Sequence, residues 1–195
     1  MSSTAAINSM ETTQTGIPTA KLGMWVFLAS EVMFFAGLLG AYIVLRTGTH
    51  WPHPGDELNV PAAAVNTFIL LSSSMTMALS VAAVHRRDTQ KLRLFLLATI
   101  LLGFAFLSVK GYEYSVKFHH GHLPGTGLFW DVYFTLTGVH GLHVLIGALA
   151  NLWVLSLTLK RDFFEKKGHL VELSGLYWHF VDVVWIFLFP MVYLI

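Results

Sequence analysis

At 195 residues and 21.7 kDa the chain has room for one compact domain, and its 55% apolar and 12% charged content, with mean hydropathy +0.63, excludes an ordinary water-soluble fold; such folds carry about 25% charged residues. Twelve Lys and Arg against eleven Asp and Glu leave a formal charge of +1, so no basic surplus points to nucleic acid as a partner. The absence of cysteine excludes disulfides, thiolate metal sites and cysteine nucleophiles, which leaves ten histidines as the main candidate ligands.

Residues 1–20 are dominated by Ser, Thr, Ala and Asn around a single Glu11, without the basic n-region and short apolar run of a signal peptide. Residues 1–21 are therefore expected to be a flexible tail ahead of one transmembrane domain, 22–195. Five apolar stretches follow, at 22–45, 62–84, 92–116, 128–159 and 173–194. Each is long enough, at ~1.5 Å per residue, to cross a hydrocarbon core of ~30 Å. The predicted fold is an all-α, polytopic membrane helix bundle of five spans. An odd number of spans fits poorly with the two similar halves of an inverted-repeat transporter.

The connecting loops are a Pro-rich segment from Arg46 to Pro61, a basic turn from His85 to Lys91, a Gly and His segment from Lys117 to Gly127, and a charged segment from Lys160 to Glu172. Their basic residues are uneven. One side holds Lys21, Arg86, Arg87, Lys91, Arg93, Lys160, Arg161, Lys166 and Lys167, and the other only Arg46 and Lys117. By the positive-inside rule the N-terminus is cytoplasmic and the C-terminus outside. Trp25, Trp51, Trp130, Trp153 and Trp178 fall near predicted span ends, where interfacial aromatic belts form.

A charge at bilayer depth costs about 2.5–3.5 kcal/mol on insertion scales, so each one needs a partner or a purpose. Glu31 lies ~13 Å into the first span, followed by Phe34 and Phe35. It is a candidate proton-exchanging acid, or else a neutral carboxyl hydrogen-bonded to a neighbouring helix near Ser72 to Ser74. His140 and His143 lie three apart in the fourth span, and His179 and Asp182 repeat that spacing in the fifth. With Glu31 or Glu113 nearby these could form a buried metal site, although the paired Glu-x-x-His signature is missing. The three histidines are also candidate axial haem ligands. The alternative is that the polar groups bond one another across helices and fix packing, with Gly138 and Gly141 permitting close helix approach. Lys110 is expected to snorkel outward and to pair with Glu113, three residues on. His50, His53, His119, His120 and His122 sit among Pro and Gly as solvated loop residues, while Lys160 and Arg161 are candidates for lipid headgroups.

Three runs carry a resemblance to subunit III of the haem-copper oxidases: Leu28-Ala29-Ser30-Glu31-Val32-Met33-Phe34-Phe35, Gly138-Val139-His140-Gly141-Leu142-His143-Val144, and Tyr177-Trp178-His179-Phe180-Val181-Asp182-Val183-Val184-Trp185. Gly111-Tyr112-Glu113-Tyr114 and Val65-Asn66-Thr67 fall where that family has similar segments, so the resemblance extends from about Leu22 to Ile195. It implies a non-catalytic subunit of a bacterial inner-membrane terminal oxidase, which reduces oxygen to water while the complex pumps protons. The family implies haems and copper in subunits I and II and no metal in this chain. It further implies packing against subunit I, bound phospholipid, and support of proton and oxygen supply, with cytochrome c or quinol as donor to the complex. On that resemblance Glu31 matches the buried carboxylate associated with carbodiimide modification. Glu113, His140, His143, His179 and Asp182 match an intramembrane polar set with a mainly structural role. The chain lacks the first two helices of the seven-helix form, which wall one side of a lipid-filled cleft there. Two other functions stay open at this point: a subunit III-like accessory of a nitric oxide reductase, and a metal- or haem-bearing membrane enzyme built on His140, His143, His179 and Asp182.

Overall fold

The computed structural model describes residues 18–49, 51–52, 54–160 and 163–195. Most of the expected tail, together with His50, His53 and the headgroup candidate Arg161, lies outside the described residues. The long helices are α1 (Thr19–Gly48), α2 (Val60–His85), α3 (Thr89–His119), α4 (Leu128–Leu157) and α5 (His169–Phe189), the last continuing as a π turn over Pro190–Leu194. Single-turn helices Pro54–Glu57 and Phe163–Lys166 occupy two of the connections. Among the described residues five helices are long and apolar enough to cross a membrane, the fifth counted from His169 to Leu194.

Polar residues extend several helices beyond the apolar stretches seen in the sequence. The 31 residues of α3 run for about 46 Å, which carries both ends past a ~30 Å core. Side chains begin two of the helices. The Asn59 side chain accepts from the Ala62 N–H at 3.1 Å to open α2. Asp88 accepts from the Lys91 N–H at 3.1 Å to open α3. That backbone N–H, assisted by the Lys91 ammonium, holds the exposed Asp88 carboxyl below the usual carboxylate range. Between α2 and α3, Arg87 takes a left-handed backbone conformation, φ 53°, which closes the turn in three residues. At the other end of the bundle's sequence, α4 stops two residues short of the apolar stretch. There Arg93 Nη2 donates to the Thr158 carbonyl at 2.5 Å and Nε to its hydroxyl at 3.2 Å, using acceptors that a helix C-terminus leaves free.

The five helices are not equally buried. α5 lies at the centre, packed on α2 and α4 and more lightly on α1. α1 is peripheral, and its buried residues, Leu28, Phe35 and Tyr42, recur every seven residues along a single narrow seam. The core is anchored by two indoles of α5 that reach α2: Trp178 Nε1 donates to Ser73 Oγ at 3.0 Å, and Trp185 Nε1 to Thr67 Oγ1 at 2.9 Å. Trp178 is fully buried and so is not part of an interfacial belt. Its ring occupies space left by two glycines. A Cβ on Gly103 would stand 2.7 Å from Trp178, and one on Gly147 2.9 Å from it. Gly138 and Gly141, which the sequence suggested as the close-approach positions, would meet neighbours only at 3.7 and 4.0 Å. The bulk of the indole, rather than the placement of the histidines, therefore decides where the bundle needs glycine.

Candidate functional site

Glu31 projects from α1 toward α4, where its Oε2 lies 3.1 Å from His143 Nε2. The other ring nitrogen of His143 is 2.8 Å from the Val139 carbonyl. A carbonyl only accepts, so the Nδ1 position carries hydrogen. The contact between Nε2 and the carboxyl then holds one proton, drawn either as a carboxylic acid donating to an imidazole or as a carboxylate beside an imidazolium. Phe35 meets the imidazole edge-on at 5.0 Å and Phe34 stacks at 6.5 Å, shielding the pair. Tyr177 of α5 donates to the His143 carbonyl at 3.2 Å. The pair forms part of the wall of a cleft of about 540 Å³ between α1, α4 and α5, lined otherwise mainly by apolar side chains such as Phe27, Ile146 and Trp153. The expected partner of Glu31 near Ser72 to Ser74 is therefore replaced by His143. Ser72 and Ser73 donate back to Phe68 and Leu70, the usual recourse of helix hydroxyls, and Ser74 is engaged by His179.

A second cluster closes the opposite end of the bundle. Lys110 Nζ lies 3.0 Å from Glu113 Oε2 and also donates to the Tyr193 hydroxyl. Tyr133 and Tyr193 donate to Glu113 Oε1 at 2.8 and 3.0 Å. The ammonium further lies over the rings of Tyr193, Trp185 and Tyr133 at 4.8 to 5.4 Å. Lys110 pairs with Glu113 as its spacing predicts, yet it does not snorkel: it is buried, because an acid and an aromatic cage on three helices offer it more than the headgroup region.

The other intramembrane residues go to separate places. His140 is fully buried, stacked on Trp185 at 4.8 Å and edge-on to Phe106, and neither ring nitrogen is hydrogen-bonded among the described residues. His179 Nδ1 is 2.8 Å from Ser74 Oγ. Asp182 is buried with neither carboxyl oxygen hydrogen-bonded among the described residues, so His179 and Asp182 do not pair. Their three-residue spacing puts them on one face of α5, but that face meets the hydroxyls of α2. No group of three or more His, Asp or Glu among the described residues is placed to hold a metal ion. Of the outer histidines, His122 stacks on Trp130 at 4.1 Å, while His119 and His120 are exposed. Lys160 is exposed past the end of α4. Several bonding partners gave no advance signal in the sequence, notably Tyr133, Tyr193, Arg93 and the pair Ser174 and Asn151, whose hydroxyl and amide oxygen are 2.7 Å apart. Their residue types are common, and only chain packing brings them together.

Residues 2–195 match the family model described as cytochrome c oxidase subunit III. Among curated proteins the chain is 37% identical over 177 residues to cytochrome c oxidase subunit 3 of Bacillus sp. (strain PS3), covering 89% of this chain and 84% of that protein. It is 41% identical over 178 residues to cytochrome c oxidase subunit 3 of Corynebacterium diphtheriae, covering 89% and 87%. It is 38% identical over 176 residues to the probable cytochrome c oxidase subunit 3 of Mycobacterium leprae, again covering 89% and 87%. With five membrane-length helices and a match along essentially its whole length, the chain belongs to the cytochrome c oxidase subunit III family.

Proposed function

We propose that this chain is the non-catalytic third subunit of a bacterial respiratory terminal oxidase. In this role it packs against subunit I, holds phospholipid, and supports proton and oxygen supply to haem and copper centres in subunits I and II. The family match across residues 2–195 is the observation that carries this reading. The cleft beside Glu31 and His143 supports the lipid assignment, since it opens between α1, α4 and α5 and is mainly apolar, with Glu31, His143, Ser174 and Tyr177 as the polar groups along its wall. Residues 22–195 act as one transmembrane domain in the inner membrane, with the N-terminus cytoplasmic and the C-terminus outside. Lys21, His85 and Glu172 line one groove, so the start of α1, the end of α2 and the start of α5 share a side, where the basic loops gather.

Within this reading Glu31 is the proton-exchanging carboxyl. Glu113, His140, His143, His179 and Asp182 form the polar set that fixes helix packing, and Lys160 and Arg161 meet lipid headgroups. The test is purification in mild detergent through a tag on Met1, with mass spectrometry of the partners and a reduced-minus-oxidised spectrum. Large haem- and copper-bearing subunits should copurify with a chain that is colourless on its own. A chain that purifies alone with its own haem or metal would overturn the proposal, and haem-bearing partners without a copper-bearing second subunit would favour a nitric oxide reductase.

A further inference from the structure

A second groove, of about 300 Å³, runs between α2 and α5 beside the start of α1. Its mouth lies where three helices end on one side of the bundle, with Lys21 in the first turn of α1, His85 at the end of α2 and Glu172 in the first turn of α5. The floor has little side-chain bulk. Ala78 contributes one methyl group, and Gly175 leaves α5 bare where α2 comes close, since a Cβ there would stand 3.2 Å from Val81 and 3.4 Å from Met77. Val81 and Leu176 add apolar walls, and His179 lines the groove two turns along α5 from Glu172, about 10 Å away, where Ser74 Oγ lies 2.8 Å from its Nδ1. The charges at the mouth are of both signs and only loosely engaged. His85 Nε2 is 3.6 Å from Glu172 Oε1, longer than a hydrogen bond, and no ion pair among the described residues takes the Lys21 ammonium.

We propose that this groove binds an ethanolamine phospholipid, with the phosphate on Lys21, the primary ammonium on Glu172 and one acyl chain laid over Ala78 and Gly175 against Val81 and Leu176. The headgroup follows from the charges. An anionic glycerol headgroup suits Lys21 but sets a like charge against Glu172 with nothing to offset it. A choline headgroup carries a cation without N–H donors, so it gives the carboxylate no hydrogen bond. A primary ammonium has three N–H donors and meets Glu172 in a charge-assisted bond. Discrimination between headgroups thus rests on the repulsion that Glu172 exerts as much as on the attraction of Lys21.

The groove shares no lining residue with the cleft beside Glu31 and His143. α5 presents Leu173, Ser174 and Tyr177 to that cleft, and Glu172, Gly175, Leu176 and His179 to the groove. Occupancy of the groove therefore does not depend on lipid held in the cleft.

The test is photolabelling of the tagged protein, with its copurifying subunits, in phosphatidylcholine nanodiscs. Phosphatidylethanolamine carrying a diazirine on its acyl chain is the label, and peptide mass spectrometry maps the adducts. Adducts are expected on α2 and α5 along the groove, and unlabelled phosphatidylethanolamine should suppress them at least about fivefold more effectively than phosphatidylglycerol or added phosphatidylcholine. Glu172→Gln should abolish that preference. Ala78→Leu, which fills the floor, should remove the groove adducts and leave those in the Glu31 cleft unchanged; neither residue is buried, so both variants spare the core. The proposal is overturned if no adducts form along the groove, if the three lipids suppress them equally as annular lipid would, if phosphatidylglycerol or phosphatidylcholine suppresses them best, or if they persist in Ala78→Leu. A preference that survives Glu172→Gln overturns it as well.

Discussion

At the scale of single residues, the Glu31 and His143 contact is defined by its proton inventory. The Val139 carbonyl fixes the hydrogen on Nδ1, so Nε2 needs either a donor or its own proton, and Glu31 is the group that meets it. Glu31→Gln keeps a donor, because an amide N–H can replace the carboxylic acid O–H. We expect this variant to assemble and to lose less than about 1 kcal/mol, while His143→Phe strands a half-buried carboxyl and costs about 1–3 kcal/mol. Melting of the two detergent-purified complexes measures the order, and a larger loss for Glu31→Gln would show that the contact depends on a charge pair. Glu113 is the more exposed to substitution of the two acids in energetic terms, since its loss leaves the Lys110 ammonium buried among aromatic rings. Glu113→Ala should destabilise by about 3–5 kcal/mol, and adding Lys110→Met should recover most of it, because the uncompensated charge then disappears. Failure of the double variant to recover stability in the same assay would show that the tyrosine hydroxyls, rather than the charge, dominate the cluster.

Between elements, the packing of α5 against α3 and α4 depends on a bulky ring meeting small residues. Gly103→Ala places a Cβ 2.7 Å from Trp178 with no room to yield in a fully buried ring, and should lower stability by about 1–3 kcal/mol. Gly141→Ala, whose nearest neighbour is 4.0 Å away, should leave the melting temperature nearly unchanged. Equal effects of the two would mean that the helices shift to absorb the methyl group. Trp185→Phe retains the aromatic volume but loses the bond to Thr67, and about 1 kcal/mol is expected from that alone, again by melting. The glycines were visible in the sequence as small residues, but their pairing with Trp178 was not. Helical spacing tells which residues share a face, whereas the crossing of three helices decides which face meets the indole.

For the whole molecule, the C-terminal turn ties separate parts of the bundle together. Tyr193 joins α3 and α4 through Lys110, Glu113 and Tyr133, while Tyr42 and Arg46 of α1 donate to the carbonyls of Met191 and Ile195. α1 is otherwise held along a narrow seam, so these bonds matter more to its position than they would for a deeply packed helix. Truncation after Phe189 should loosen α1 before the other helices, read as faster amide hydrogen exchange along Thr19–Gly48 than along α2 to α5. Uniform acceleration across all five helices would contradict that order.

Legible from the residues alone were the five-helix membrane class, the intramembrane polar residues, the i, i+3 pairing of Lys110 with Glu113 and, through the motifs, the family. These follow from periodicity, hydropathy and local spacing, which operate within one segment of chain. Helix packing settles that Glu31 meets His143 rather than a serine of α2, that His179 turns to Ser74 while the Asp182 oxygens have no hydrogen bond among the described residues, and that Trp178 fills the core instead of the interface. Each of these depends on the rotation and crossing of helices that are distant in the chain, and apolar surfaces without direction leave that geometry to side-chain shape and the few hydrogen bonds that can be satisfied only one way.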